Sequence, residues 1–148
     1  MGFIMEGEKI PPQDRIARYC KFTSIDENGL ITGEAFIFSE RHSFLSVNWV
    51  EQLRLSNIDE EVMKLWDIYK TTLTVRPNAK IAILNVGNMI EYVLQRSEDN
   101  RELSVLHMPR PPIDSSHSGI LGYSFMEKII AELIAQTVRT ENIFSQNQ

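Results

Sequence analysis

The chain has 148 residues, 43 % apolar and 24 % charged, with 20 acidic against 15 basic side chains for a net charge of −5. That size fits one domain that buries roughly two-thirds of its unfolded surface, and the composition is too apolar for a disordered chain. A single cysteine, Cys20, excludes an internal disulfide or a cysteine-built zinc site, the acidic balance disfavours nucleic-acid binding, and no uncharged stretch approaches the ~20 residues of a membrane helix.

Residues 1–12 read as an N-terminal arm closed by Pro11-Pro12. Its opening, Met1-Gly2-Phe3-Ile4-Met5-Glu6, has no basic region before an apolar run, so no signal peptide is expected. Asn28-Gly29 lies between two β-forming runs, Ile16–Ile25 and Leu30–Phe38, and predicts a hairpin on a type I′ turn. Counting outward from the turn sets Phe22 opposite Ala35, Cys20 opposite Ile37 and Arg18 opposite Ser39. One face then carries Cys20, Phe22, Ile31, Ala35 and Ile37, a candidate core; the other carries Tyr19, Lys21, Thr23, Glu34, Phe36 and Phe38.

Ser46 ahead of Val47–Leu53 predicts a helix with Leu45, Trp49 and Leu53 four apart. Ser56-Asn57-Ile58-Asp59 has the form of a capping box before a helical stripe of Ile58, Val62, Leu65, Trp66 and Tyr69. Ile81–Val86, apolar but for Asn85, reads as a central strand covered on both faces. Ile90–Gln95 and Leu103–His107 read as a second hairpin, with a helical turn as the alternative for Ile90–Gln95. After Pro109-Arg110-Pro111-Pro112, Ser124-Phe125-Met126-Glu127 caps a last helix lined by Met126, Ile129, Ile130, Leu133, Ile134 and Val138. The tail over 141–148 is expected to fray. This order predicts a single α+β domain over 1–148: a mixed or antiparallel sheet with an N-terminal β-hairpin, two mid-chain helices and a C-terminal helix packed on the sheet.

The hairpin register brings Arg18 and Arg41 together, diagonal on the apolar face at the open end of the ribbon. A guanidinium does not deprotonate and is costly to desolvate unpaired, so two there demand either carboxylates, such as Glu40 or Asp14, or a bound anion such as phosphate. Among the three histidines, His117 in Asp114-Ser115-Ser116-His117-Ser118-Gly119 is the first candidate for acid–base work, in a hydroxyl- and glycine-rich loop, with His107 second. The bland alternative leaves His117 exposed beside a turn capped by its neighbours. No histidine pair has metal-ligand spacing, so no metal or cofactor is expected. Cys20 beside Arg18 is either an activated thiol or a small buried hydrophobe. Gly-x-Ser-x-Gly and phosphate-binding glycine loops are absent.

Arg41-His42-Ser43-Phe44-Leu45-Ser46-Val47-Asn48-Trp49-Val50-Glu51, together with Pro111-Pro112-Ile113-Asp114-Ser115-Ser116-His117-Ser118-Gly119-Ile120, resembles small bacterial proteins of unassigned function. In those an Arg/Cys-containing first strand leads to a Leu-Ser-Val-Asn-Trp stretch, and a Pro…Ser-His-Ala-like segment precedes the last helix. Ser118 stands here in place of the small residue. The resemblance implies a bacterial, cytoplasmic setting and nothing about a reaction, and it directs attention to Arg18, Cys20, Arg41, Asn48, His107 and His117. Two functions fit. The first is a non-enzymatic component of a bacterial multiprotein system, docking onto a partner protein or a second copy through Tyr19, Phe36 and Phe38. The second is a small enzyme acting on a phosphate-containing or nucleotide substrate, held by Arg18 and Arg41, with His117 or His107 moving a proton.

Overall fold

In the computed structural model, which describes residues 7–146, the strand-forming runs meet in one antiparallel sheet. In chain order the strands are β1 (Arg15–Cys20), β2 (Leu45–Trp49), β3 (Lys80–Asn85), β4 (Ser104–His107), β5 (His117–Leu121) and β6 (Ile143–Ser145), and across the sheet they run β4-β5-β2-β1-β3-β6. Three α-helices join them: α1 (Ile58–Thr72), α2 (Val86–Arg96) and α3 (Lys128–Ala135). The fold is α+β, as the element order implies. No helix among the described residues is long and apolar enough to cross a membrane.

Strand parity divides the core in two. Ile16 and Cys20 of β1, Leu45, Val47 and Trp49 of β2, Leu84 of β3 and Ile120 of β5 join Met89 and Val93 of α2 and Ile130 and Ile134 of α3 in the larger apolar cluster. The alternate residues Ala17, Ile81 and Ile83 face α1, where Val62, Leu65, Trp66, Ile68 and Tyr69 form the smaller one. β3 therefore is apolar on both faces, as its sequence suggests. α1 starts one residue later than the capping box predicts: the Asn57 side chain accepts from Glu60 N–H at 3.0 Å, and Glu60 Oε1 reaches back to Ser56 N–H at 3.2 Å.

Several sequence expectations give way. The N-terminal hairpin does not form as a ladder; only Ile25 and Ile31 pair across the turn, where Gly29 takes the positive φ that Asn-Gly supplies. Both edges of β1 are already taken, by β2 and β3, so the segment after the turn has no strand to join. It instead forms a 3-10 turn over Gly33–Phe36 that packs on α3, so closely that a Cβ on Gly33 would lie 3.0 Å from the Glu132 backbone. The pairings of Arg18 with Ser39 and Ile16 with Arg41 disappear with the hairpin. Leu45–Trp49 is a strand rather than a helix, followed by a 3-10 turn over Val50–Leu53. Residues 90–95 take the helical alternative, as part of α2, capped by the Asn85 side chain on Asn88 N–H at 2.7 Å, and β4 pairs with β5 instead.

Most of the C-terminal stripe packs as expected. Ile130 and Ile134 are buried and Leu133 and Val138 pack half-buried against the same cluster, but Met126 lies ahead of α3, which begins only at Lys128, and Ile129 is on its outer face, so both are exposed. The tail does not fray over 141–146, where β6 pairs with β3 at the sheet edge; 147–148 lie outside the described residues. Of the N-terminal arm, 1–6 lie outside the described residues; Glu8 and Ile10 bond to the free edge of β4, through His107 N–H to Glu8 O and Ile10 N–H to Val105 O.

Candidate functional site

The site forms where the sheet comes apart. β1 and β2 pair only through Ile16–Trp49 and Ala17–Asn48, then diverge. Arg18 fills the opening: its Nε donates to Ala35 O at 2.8 Å and its Nη1 to Ser46 O at 2.9 Å, replacing the ladder bonds the strands no longer make. Beside it, under the C-terminal end of α1, lies a cavity of about 280 Å³ lined by Arg18, Ser46, Asn48, Tyr69, Asp114 and His117, with Arg110 and Ile113 at its exposed rim. A second cavity of about 460 Å³ shares Arg18, Tyr19 and Leu73 with it, so the guanidinium stands between the two.

The floor is a satisfied polar network on the face that elsewhere is apolar. Asn48 Nδ2 donates to Asp114 Oδ1 and Oδ2 at 2.9 and 3.0 Å and to Ser116 Oγ at 2.8 Å, while Asn48 Oδ1 accepts from Tyr69 OH at 2.9 Å. Ser116 Oγ in turn donates to Asp114 Oδ1 at 2.9 Å. The carboxyl group on one side and the phenol on the other fix the amide's orientation. Burial pushes the Tyr69 phenol well above its ordinary pKa, so it stays a donor. Asp114 is placed by the short loop between β4 and β5, closed by mutual backbone bonds between Arg110 and Asp114 around Pro111-Pro112.

His117 opens β5 and pairs with Asn48 across the ladder, so both project from the same face. Its Nδ1 lies 2.9 Å from Met108 O and its Nε2 3.2 Å from Ser46 Oγ. A carbonyl only accepts, so Nδ1 carries the proton of the neutral ring and Nε2 presents its lone pair to the Ser46 hydroxyl. Burial, 5 % of the residue remaining exposed, pushes the imidazole below its usual 6.5 despite the Met108 bond. At neutral pH it is an uncharged base held in one tautomer.

Arg18 differs from the arginines that form ion pairs. Arg15 bonds to Glu51 and Glu61, and Arg101 to Asp99 and Glu127. Among the described residues no carboxylate pairs with Arg18, and its Nη2, which is not fully buried, makes no bond to protein. Desolvation accordingly lowers its pKa, yet a guanidinium stays charged. The result is a fixed cation with donors to spare between two cavities.

The structure thus brings Arg18 and His117 together and separates Arg41 and His107 from them. Arg41 is exposed in the loop before β2, its backbone N–H on Ser39 Oγ, because the hairpin that would have carried it inward does not form. His107 pairs with Ser118, one residue out of phase with His117, and so faces the opposite side, packed edge-on at 5.0 Å from the Trp49 ring with Nε2 on Ser115 O. The aromatic face is also dispersed. Phe36 is fully buried in the larger cluster, Phe38 is half-buried against Tyr123, and Tyr19 packs against Trp66 and Tyr69 on the other side of the sheet. Cys20 is the buried hydrophobe: burial pushes its thiol up to about 12, outweighing Arg18.

Ser46, Tyr69, Asp114 and Ser116 were not singled out by the sequence. The alternation in Leu45-Ser46-Val47-Asn48-Trp49 is the signal that places Ser46 and Asn48 on one strand face; nothing local ties Asp114 to Asn48, 66 residues away. Among the described residues no three His, Cys, Asp or Glu side chains cluster as a metal ion would require. Set against known proteins, the chain matches no protein-family model, no curated protein and no solved structure at a significant level.

Proposed function

We propose that the chain is a small enzyme acting on a phosphate-containing substrate, with the anion on Arg18 and His117 Nε2 as the proton acceptor. One observation carries this reading: a guanidinium that, among the described residues, bonds to no carboxylate lines the same cavity as a neutral histidine held in a single tautomer. A planar fork of donors matches a phosphoryl group, and a base in hydrogen-bond range of the reacting proton is what proton transfer requires. Arg110 at the rim adds positive charge on the approach. The cavities on either side of Arg18 leave room for the rest of a small ester, against Tyr19, Leu73 and Ile113. The bacterial cytoplasmic setting implied by the resemblance is part of this proposal. The docking reading, placed first on the sequence, has less support: of its three residues Phe36 is buried and Tyr19 lies on the other side of the sheet from it.

Thermal melting with inorganic phosphate and a series of phosphate monoesters and nucleotides tests this. A ligand at 100 times its Kd adds about 2.7 kcal/mol to the folded state. At least one compound should raise the melting temperature of the wild type, should do so less in Arg18→Lys, and should have no effect in Arg18→Gln. No shift with any compound, or a shift that survives Arg18→Gln, overturns the reading.

A further inference from the structure

We infer that Ser46 is the covalent nucleophile of this site, attacking phosphorus with His117 as its general base; this rests on the phosphate reading above. Three relations meet at Ser46. Its Oγ is 3.2 Å from His117 Nε2, the nitrogen that carries the lone pair. The ring is held from behind by Met108 O at 2.9 Å, which fixes both tautomer and orientation. Its own carbonyl oxygen accepts from Arg18 Nη1 at 2.9 Å, so the backbone of the nucleophile is pinned and the cation sits within one residue of the reacting oxygen. Nucleophile to base, base to orienting group, and a fixed positive charge where negative charge develops are the parts that covalent catalysis by a hydroxyl needs. A separation of 3.2 Å is at the long end of that range, as such bonds often are before substrate arrives.

The neighbouring hydroxyls are already engaged elsewhere. Ser116 Oγ donates to Asp114, Ser118 Oγ to Ser116 O on the other face of β5, and Thr72 Oγ1 to Ile68 O. Asn48, two residues along the same strand face, has its amide committed to Asp114, Ser116 and Tyr69, so it does not compete for the histidine. Ser46 is the cavity hydroxyl whose proton is directed at a free base.

The step balances with water as the one co-reactant. The Ser46 Oγ–P bond forms as the bond from phosphorus to the leaving oxygen breaks. The hydroxyl proton passes to His117 Nε2, and the leaving oxygen departs with the bonding pair and takes that proton from the imidazolium. Water then attacks the seryl phosphate and gives a proton to His117; the P–Oγ bond breaks, Ser46 Oγ leaves with the bonding pair and takes that proton from the imidazolium, and phosphate is released.

The full-length chain treated with diisopropyl fluorophosphate, in which fluoride is the leaving group, tests the inference by intact mass and peptide mapping. The expected result is one phosphoryl adduct, on Ser46, absent in Ser46→Ala and formed about 100-fold more slowly in His117→Gln, the lower end of what a positioned base contributes. Because His117→Gln removes a buried side chain and could disturb folding, the wild-type rate is also followed against pH: it should fall on an acid limb below 6.5, where the imidazole protonates. No adduct at Ser46, or a rate indifferent both to pH and to His117→Gln, overturns it. The two proposals fail separately. Arg18-dependent binding of phosphate compounds without an adduct removes the nucleophile and keeps the phosphate site, whereas an adduct without such binding keeps the nucleophile and removes the substrate class.

Discussion

Along β2, Leu45, Val47 and Trp49 enter the larger apolar cluster while Ser46 and Asn48, between them, turn to the face that carries α1. β5 does the same, with Ile120 on one side and His117 on the other. At β1 and β3, by contrast, the α1 face is as apolar as its opposite, through Ala17, Ile81 and Ile83. On that face the polar residues therefore lie on β2 and β5, from Asn48 at the last pair that β1 and β2 make to Ser46 beyond it. Had packing alone been at stake, apolar side chains at Asn48 and His117 would have matched the rest of that face at lower desolvation cost. One side of the sheet gives stability, and the far end of the other gives up some of it to hold a network in place.

That contrast is open to attack from both sides, and the larger cluster should suffer most. Phe36→Ala removes a fully buried ring, and should cost roughly 3–5 kcal/mol, read as a fall in the urea midpoint at unchanged m-value. A cost near that of a surface substitution would return Phe36 to the exposed aromatic face of the docking reading.

Asn48→Ala strikes the polar floor. It strips Asp114 and Ser116 of a shared donor and Tyr69 OH of its acceptor, and should cost about 2–3 kcal/mol, since buried groups left unpartnered lose their hydration with nothing in exchange. A neutral result would mean that water replaces the amide and that the network does not order the site.

A smaller effect, but one with a sign, comes from His117. Burial holds its folded pKa below the 6.5 of the unfolded chain, so the unfolded state binds the proton first as pH falls. The contribution of the group is complete above pH 6.5 and is lost as pH drops through the folded pKa. Urea midpoints at pH 7 and pH 5 should therefore fall further for the wild type than for His117→Gln. Equal falls would mean that the ring is hydrated and titrates as in the unfolded chain.

How much of this was legible depends on the range of the interactions. The N-cap of α1, to within one residue, and the two-faced character of β3 follow from side chains within four residues of each other, and the sequence displays them. That Arg18 points inward against uncharged surroundings also follows from the parity of β1, even though the partner strand is β2 and β3 rather than a hairpin arm. β2 is harder, because Leu45, Trp49 and Leu53 satisfy a helical spacing while Leu45, Val47 and Trp49 satisfy a strand's, and only its pairing with β1 and β5 decides. The site itself joins Arg18, Ser46, Tyr69 and His117 from four separate segments. No local pattern encodes that meeting; it depends on where β1 and β2 stop pairing.

The smallest effect expected is the one that separates the two arginines the sequence set side by side. Arg41 is exposed, its backbone N–H rests on Ser39 Oγ, and it lines neither cavity beside Arg18. Arg41→Ala should change stability by less than about 0.5 kcal/mol, as surface substitutions away from special features do, and should leave any phosphate-induced melting shift intact. Arg18→Gln abolishes that shift if the anion sits between the two cavities. A shift lost in Arg41→Ala instead would mean that the loop before β2 folds over the ligand, and that the cation which matters is the one the sheet leaves outside.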